Sequence, residues 1–191
     1  MTDILLLHHL HGLTAGVTGL ADGLRAGGHT VHTPDLFEGR TFATLDEGAD
    51  FARSVGFDVV RARGVAAAEG LPDDLVVAGI SLGVMAAQQL AQNRPGVRAA
   101  LLYEAFAAPE NFGTWPDGVP AQVHGMEHDP FFGEEGDLDA AREFAAGRDD
   151  VEVFAYPGSV HLFTDSTLPT YDADATRLVL DRSLELLGRL G

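Results

Sequence analysis

Three residues could do acyl-transfer chemistry together: Ser81, Asp129 and His161. Ser81 sits in Gly79-Ile80-Ser81-Leu82-Gly83, after the apolar run Leu75 to Ala78 and before a small-residue helical pattern. A strand, a tight Gly-x-Ser-x-Gly turn and a helix lift a serine hydroxyl to the end of a sheet. The helix N-terminus behind it favours a developing anion. A serine hydroxyl is a weak nucleophile at neutral pH and needs a base within hydrogen-bond reach. His161, after the turn Pro157-Gly158-Ser159-Val160, fits that role, taking a proton and passing it on. Asp129 would accept the other ring N–H, fixing the tautomer and stabilising the imidazolium. The backbone N–H groups of Leu82 and Leu10 are the expected oxyanion donors.

The elements that must position these residues read as alternating strands and helices. Asp3 to His9 forms a continuous apolar strand, followed by Leu10-His11-Gly12-Leu13 and a helix from about Thr18 to Ala26. His29 to Leu36 reads as a second strand, and Phe37 to Thr44 as a loop. A long helical stretch from Asp46 to Glu69, with a possible break at Gly56, leads to the strand before Ser81. The helix after Ser81 ends near Asn93. Val97–Tyr103, Pro120–Gly125 and Val151–Tyr156 supply three further strands. An amphipathic helix closes the chain from about Asp172 to Leu190. Such alternation predicts a mainly parallel sheet of about six strands with helices on both faces. Residues 1–191 are expected to form one domain, since their length suits a single core. Open sheets of this kind bind ligands beyond the carboxyl ends of their strands, where Ser81, Asp129 and His161 all fall.

Composition narrows the chemistry. The net charge is −17, from 12 basic and 29 acidic residues, and every basic residue is arginine. That balance argues against nucleic acid and anionic membrane surfaces as partners. The absence of lysine excludes a Walker-type phosphate lysine and a Schiff-base lysine. There is no cysteine, so disulfides, thiolate metal sites and a cysteine nucleophile are excluded. No apolar run approaches a membrane span. Met1-Thr2-Asp3-Ile4 lacks a basic signal region, and a cytoplasmic location is expected.

The stretches Leu7 to Leu13, Thr33 to Arg40, Gly79 to Gly83, His124 to Phe131 and Tyr156 to Phe163 resemble the dienelactone hydrolase family, as does Tyr171-Asp172. The resemblance spans nearly the whole chain in order. It implies an α/β-hydrolase fold without a large lid, and hydrolysis of a small ester or lactone with no cofactor. Members that open dienelactone carry a cysteine where Ser81 stands. They carry a glutamate where His9 stands, and a substrate-binding arginine where Asp165 stands. These departures, with the acidic composition, predict a neutral or cationic ester rather than an anionic lactone. Asp165 is expected to act against anionic substrates.

His9, His11, Phe37, Glu104, Phe131 and Asp165 are candidates for the pocket wall, and Glu104 is also a competing acid. His8, His9 and His11 invite a metal reading, but they lack a clear third carboxylate, and no metal is expected. Two alternatives share this sequence: a cofactor-free haloperoxidase or perhydrolase on the same triad, and a non-catalytic small-molecule binding protein. A dehalogenase is disfavoured because it needs a carboxylate at position 81. The oligomeric state is not readable.

Overall fold

Val76–Ile80 (β3) is five fully buried residues in a row, which requires cover on both faces of the sheet. The computed structural model, which describes residues 1–191, supplies that cover. Six strands run parallel in the order β2-β1-β3-β4-β5-β6. They are Asp3–Leu7 (β1), Thr30–His32 (β2), β3, Ala99–Tyr103 (β4), Ala121–Met126 (β5) and Val151–Tyr156 (β6). Six α-helices connect or follow them: Ala15–Ala26 (α1), Leu45–Val55 (α2), Phe57–Ala66 (α3), Leu82–Asn93 (α4), Asp137–Ala145 (α5) and Ala173–Arg189 (α6).

Alternate residues of each strand feed two separate cores. Leu5 and Leu7 pack with Val60 of α3, Val84 and Ala87 of α4 and Leu138 of α5. Ile4 and Leu6 pack with Val17 and Leu20 of α1 and Val179 and Leu186 of α6. Helices α1 and α6 therefore cover one face, and α2 to α5 the other. The path matters for function. From β1 the chain steps outward to β2, then returns to β3 on the other side of β1. The crevice at that reversal, above the carboxyl ends of β1 and β3, is where such sheets hold ligands.

Several elements differ from the sequence reading. The second strand shortens to Thr30–His32, because it is an edge strand and Pro34 has no N–H to continue pairing. The first helix starts at Ala15, three residues early, because the Thr14 side chain caps the N–H of Val17. The break anticipated at Gly56 is present, by contrast: the stretch from Asp46 splits there into α2 and α3, at a φ of 100° that no helix accommodates. Thr44 and Glu47 form a reciprocal capping box that sets the start of α2. Helix α5 was not foreseen. It presents only Leu138 and Ala141 as buried residues, too few for a periodic signal.

Candidate active site

The turn between β3 and α4 holds Ser81 at φ 49° and ψ −112°, a conformation that costs a non-glycine residue roughly 1–3 kcal/mol. Two glycines make it possible. A Cβ on Gly79 would lie 2.5 Å from the carbonyl carbon and oxygen of Gly83. A Cβ on Gly83 would collide with the carbonyl groups of Leu7 and His8. The helix start is thereby pressed against the end of β1. Although Ser81 is the N-cap of α4, its side chain makes no capping bond. Its Oγ lies 2.9 Å from Nε2 of His161.

His161 follows β6, and Asp129 follows β5. His161 Nδ1 donates to Asp129 Oδ2 at 2.6 Å. The second oxygen of Asp129, Oδ1, accepts the backbone N–H of Phe131 at 2.8 Å and of Phe132 at 3.3 Å. Asp129 is fully buried and His161 nearly so. With both oxygens occupied, Asp129 is held as an acceptor and fixes the proton of the His161 ring on Nδ1. Nε2 is left to accept from Ser81. Phe131 lies over this arrangement, its ring centroid 4.8 Å from that of His161.

A cavity of about 270 Å³ opens beside Ser81. Leu10, Leu82, Met85 and Phe131 supply apolar wall, and Ser81, Glu104 and His161 lie along it. Asp46, Glu135 and Asp137 add carboxyl groups, and no arginine reaches it. Backbone N–H groups of Leu10 and Leu82 find no protein acceptor.

Four of the residues expected in the pocket wall lie elsewhere. Phe37 is fully buried in the core, packed edge-on against His8 and Phe51. His11 donates from Nδ1 to the carbonyl of Phe42 at 2.8 Å and holds the loop before α2. His9 accepts the backbone N–H of His11 on Nδ1 and donates from Nε2 to Asp165 Oδ2. Burial pushes its pKa down, so it bridges as a neutral ring. Asp165 is buried and also takes hydrogen bonds from Thr14 and Thr167. Burial alone would raise its pKa, but those hydrogen bonds hold the carboxyl well below the usual range. Asp165 therefore does not meet a substrate, and the acidic wall comes from other residues. The β1 end turns away at Leu10, which sends the imidazoles of His9 and His11 behind the site.

His8 is likewise occupied. Its Nδ1 donates to the carbonyl of His9, and its Nε2 accepts the N–H of Leu36. Burial lowers its pKa to about 4. The one group of three metal-capable side chains is Glu104, Asp129 and His161, with one atom from each within 4.8 Å of the others. Two of these already bond one another.

Glu104 remains in the wall. It follows β4 with φ 63°, and its N–H donates to the carbonyl of His124 at 2.6 Å. Its Oε1 accepts both the N–H of Thr164 at 3.2 Å and its hydroxyl at 2.7 Å. Its Oε2 is buried with no partner. Burial raises its pKa to about 7, against the pull of His161. Ser81, Glu104 and Leu162, beside His161, are three of the four non-glycine residues with positive φ, so backbone strain gathers here.

Comparison with known proteins bears on the fold and the family. No curated protein sequence matches the chain at a significant level. Among solved structures it is similar to a dienelactone hydrolase-like promiscuous phosphotriesterase from metagenomic libraries, at a TM-score of 0.75 and 17% identity, over 100% of this chain and 87% of that one. It is similar to an alpha/beta-superfamily structure from Xanthomonas campestris pv. campestris, at a TM-score of 0.65 and 21% identity, over 99% of both chains. It is also similar to Thermogutta terrifontis esterase 2 phosphonylated by cyclosarin, at a TM-score of 0.70 and 15% identity, over 100% of this chain and 83% of that one. At such identities these likenesses speak to the fold. The sequence model of the dienelactone hydrolase family matches residues 2–191, and the chain, a hydrolase, belongs to that family.

Proposed function

We propose that the protein is a serine hydrolase that cleaves a small carboxylic ester or lactone through an acyl-enzyme on Ser81. The observation that carries this reading is the hydrogen-bonded line from Ser81 Oγ to His161 Nε2 at 2.9 Å and from His161 Nδ1 to Asp129 at 2.6 Å. Ser81 Oγ attacks the ester carbonyl while His161 Nε2 takes its proton. Asp129 supports the imidazolium through Nδ1. The N–H groups of Leu10 and Leu82 receive the oxyanion. The tetrahedral intermediate collapses, the C–O bond to the alcohol breaks, and His161 returns the proton to the leaving oxygen. Water then attacks the acyl group, with His161 again as base, and the acid leaves.

The cavity of about 270 Å³ suits a short acyl chain. Asp46, Glu135 and Asp137 on its wall, with no arginine, disfavour a substrate carboxylate. That supports a neutral or cationic ester over an anionic lactone. The test is steady-state hydrolysis of short nitrophenyl esters by the native protein and by Ser81→Ala and His161→Ala. Each variant should lose on the order of a thousandfold or more in kcat while its melting curve persists, because such residues act as a unit. Losses of only a few-fold in both would refute the acyl-enzyme reading.

A further inference from the structure

The amide that carries the N–H of Leu10 is held by its other end. That amide, from His9 to Leu10, is trans, so its carbonyl and its N–H point in opposite directions. The carbonyl of His9 accepts from Nδ1 of His8 at 2.8 Å and from the N–H of Gly12 at 3.0 Å. The next amide is held as well. The N–H of His11 donates to Nδ1 of His9 at 3.2 Å. The carbonyl of Leu10 lies against Gly48 of α2, where a Cβ would collide with it. Leu10 itself lies along the cavity beside Ser81, and its N–H has no acceptor in the protein.

The two imidazoles that do this holding have opposite tautomers. His8 takes the N–H of Leu36 on Nε2 at 2.9 Å, so its proton sits on Nδ1, where the carbonyl of His9 needs a donor. Asp35 Oδ1 stands 3.6 Å from the same Nε2, too far to compete, and takes the N–H of Phe37 instead. His9 donates from Nε2 to Asp165 at 2.8 Å, so its Nδ1 is bare, where the N–H of His11 needs an acceptor. Each ring thus makes a near bond to the turn at Leu10 and a far bond that sets its tautomer. Both rings are fully buried, and burial keeps both neutral. The far bond of His9 also ends on the loop that carries the base, since the N–H of Asp165 donates to the carbonyl of Leu162.

We propose that His8 and His9 are positioning residues for the oxyanion donor at Leu10. The near bond of each ring fixes the plane of one of the two amides that flank Leu10, so that its N–H faces the oxygen of the ester being cleaved. Neither ring touches the substrate. This rests on the acyl-enzyme reading above and deepens it.

Asparagine and glutamine separate the near bonds from the far ones. An Asn amide reaches about as far as Nδ1 of a histidine, and a Gln amide about as far as Nε2. The experiment measures kcat, KM and melting curves for His8→Asn, His8→Gln, His9→Asn and His9→Gln on a short nitrophenyl ester. The Asn variants keep the near bond and should lose only a few-fold in kcat, even where they melt lower. The Gln variants keep the far bond and should lose on the order of a hundredfold in kcat with KM little changed, as when an oxyanion donor is lost. A short alkyl trifluoromethyl ketone, which adds to a serine as a charged hemiketal, should bind more weakly in step with the fall in kcat/KM. Equal losses in the Asn and Gln variants of either residue overturn the proposal, as does a loss confined to KM. Nitrogen NMR of the native protein tests it with no variant that has to fold. At neutral pH, His8 should carry its proton on Nδ1 and His9 on Nε2, and the opposite tautomer at either ring overturns the proposal. If Ser81→Ala keeps the turnover of the native protein, the acyl-enzyme reading itself fails.

Discussion

Nε2 of His9 donates to Asp165 Oδ2 across 2.8 Å, tying the end of β1 to the segment that follows His161. The same carboxyl holds Thr14, which caps α1, and Thr167, in the turn beyond. One buried aspartate thus ties the loop after β1 to the loop after β6. Asp165→Ala would leave His9 and both threonines without their acceptor. We expect a loss of about 3 kcal/mol or more, since hydrogen bonds to a buried charge are involved. Urea unfolding checks this, with Asp165→Asn expected to lose less. Asp165→Arg should unfold the protein rather than redirect its substrate preference.

Gly83 allows α4 to touch the end of β1. Gly83→Ala would drive a methyl group into the carbonyl groups of Leu7 and His8, which are backbone and cannot swing aside. Overpacking of this sort costs roughly 1–3 kcal/mol. The melting temperature should drop, and the N–H of Leu82 should shift relative to Leu10. Esterase activity should fall further than stability alone explains.

Two buried histidines make the fold sensitive to acid. Burial depresses His8 to about 4 and His124 to about 3. In the unfolded chain both would bind a proton near pH 6.5. Between those values the unfolded state binds more protons, so stability falls as pH drops from about 6.5 towards 4. His8 alone accounts for a loss on the order of 3 kcal/mol across that window. Chemical denaturation at pH 7 and pH 4.5 measures it. His124→Gln, which keeps polar groups against Tyr156 and Gln122, should flatten the slope.

Glu104 acts in the opposite sense. Its pKa is raised by burial to about 7, above its ordinary value of 4.5. Between those values the folded state binds more protons, so its contribution to stability declines as pH rises towards 7. Glu104→Gln removes that penalty. The variant should melt higher than the native protein at pH 8, with a smaller difference at pH 5. Calorimetry at the two pH values decides it.

Much of this arrangement was legible because it lies in local patterns. Gly79 and Gly83 flank Ser81 at the spacing that a tight strand-to-helix turn requires. The strands before Ser81, Asp129 and His161 are short apolar runs, and a parallel sheet brings their carboxyl ends to one edge. The walls of the cavity were less legible. Whether His9 faces the cavity or the interior depends on the turn at Leu10, which no periodicity records. Asp165 stands where related enzymes place a substrate-binding arginine, which pointed to the pocket wall, but it is buried where the loops after β1 and β6 meet. Asp46 and Ala49 reach the cavity only because the Thr44 capping box fixes where α2 begins. The free oxygen of Glu104 is a property of tertiary packing alone, since Thr164 lies 60 residues away and satisfies only its partner oxygen.

The central claim is that Ser81 is an activated nucleophile, and intact mass after treatment with a small fluorophosphonate tests it most directly. The account predicts one adduct on the native protein and none on Ser81→Ala. A folded native protein that takes no adduct, or a Ser81→Ala variant labelled as fully as the native chain, would contradict it.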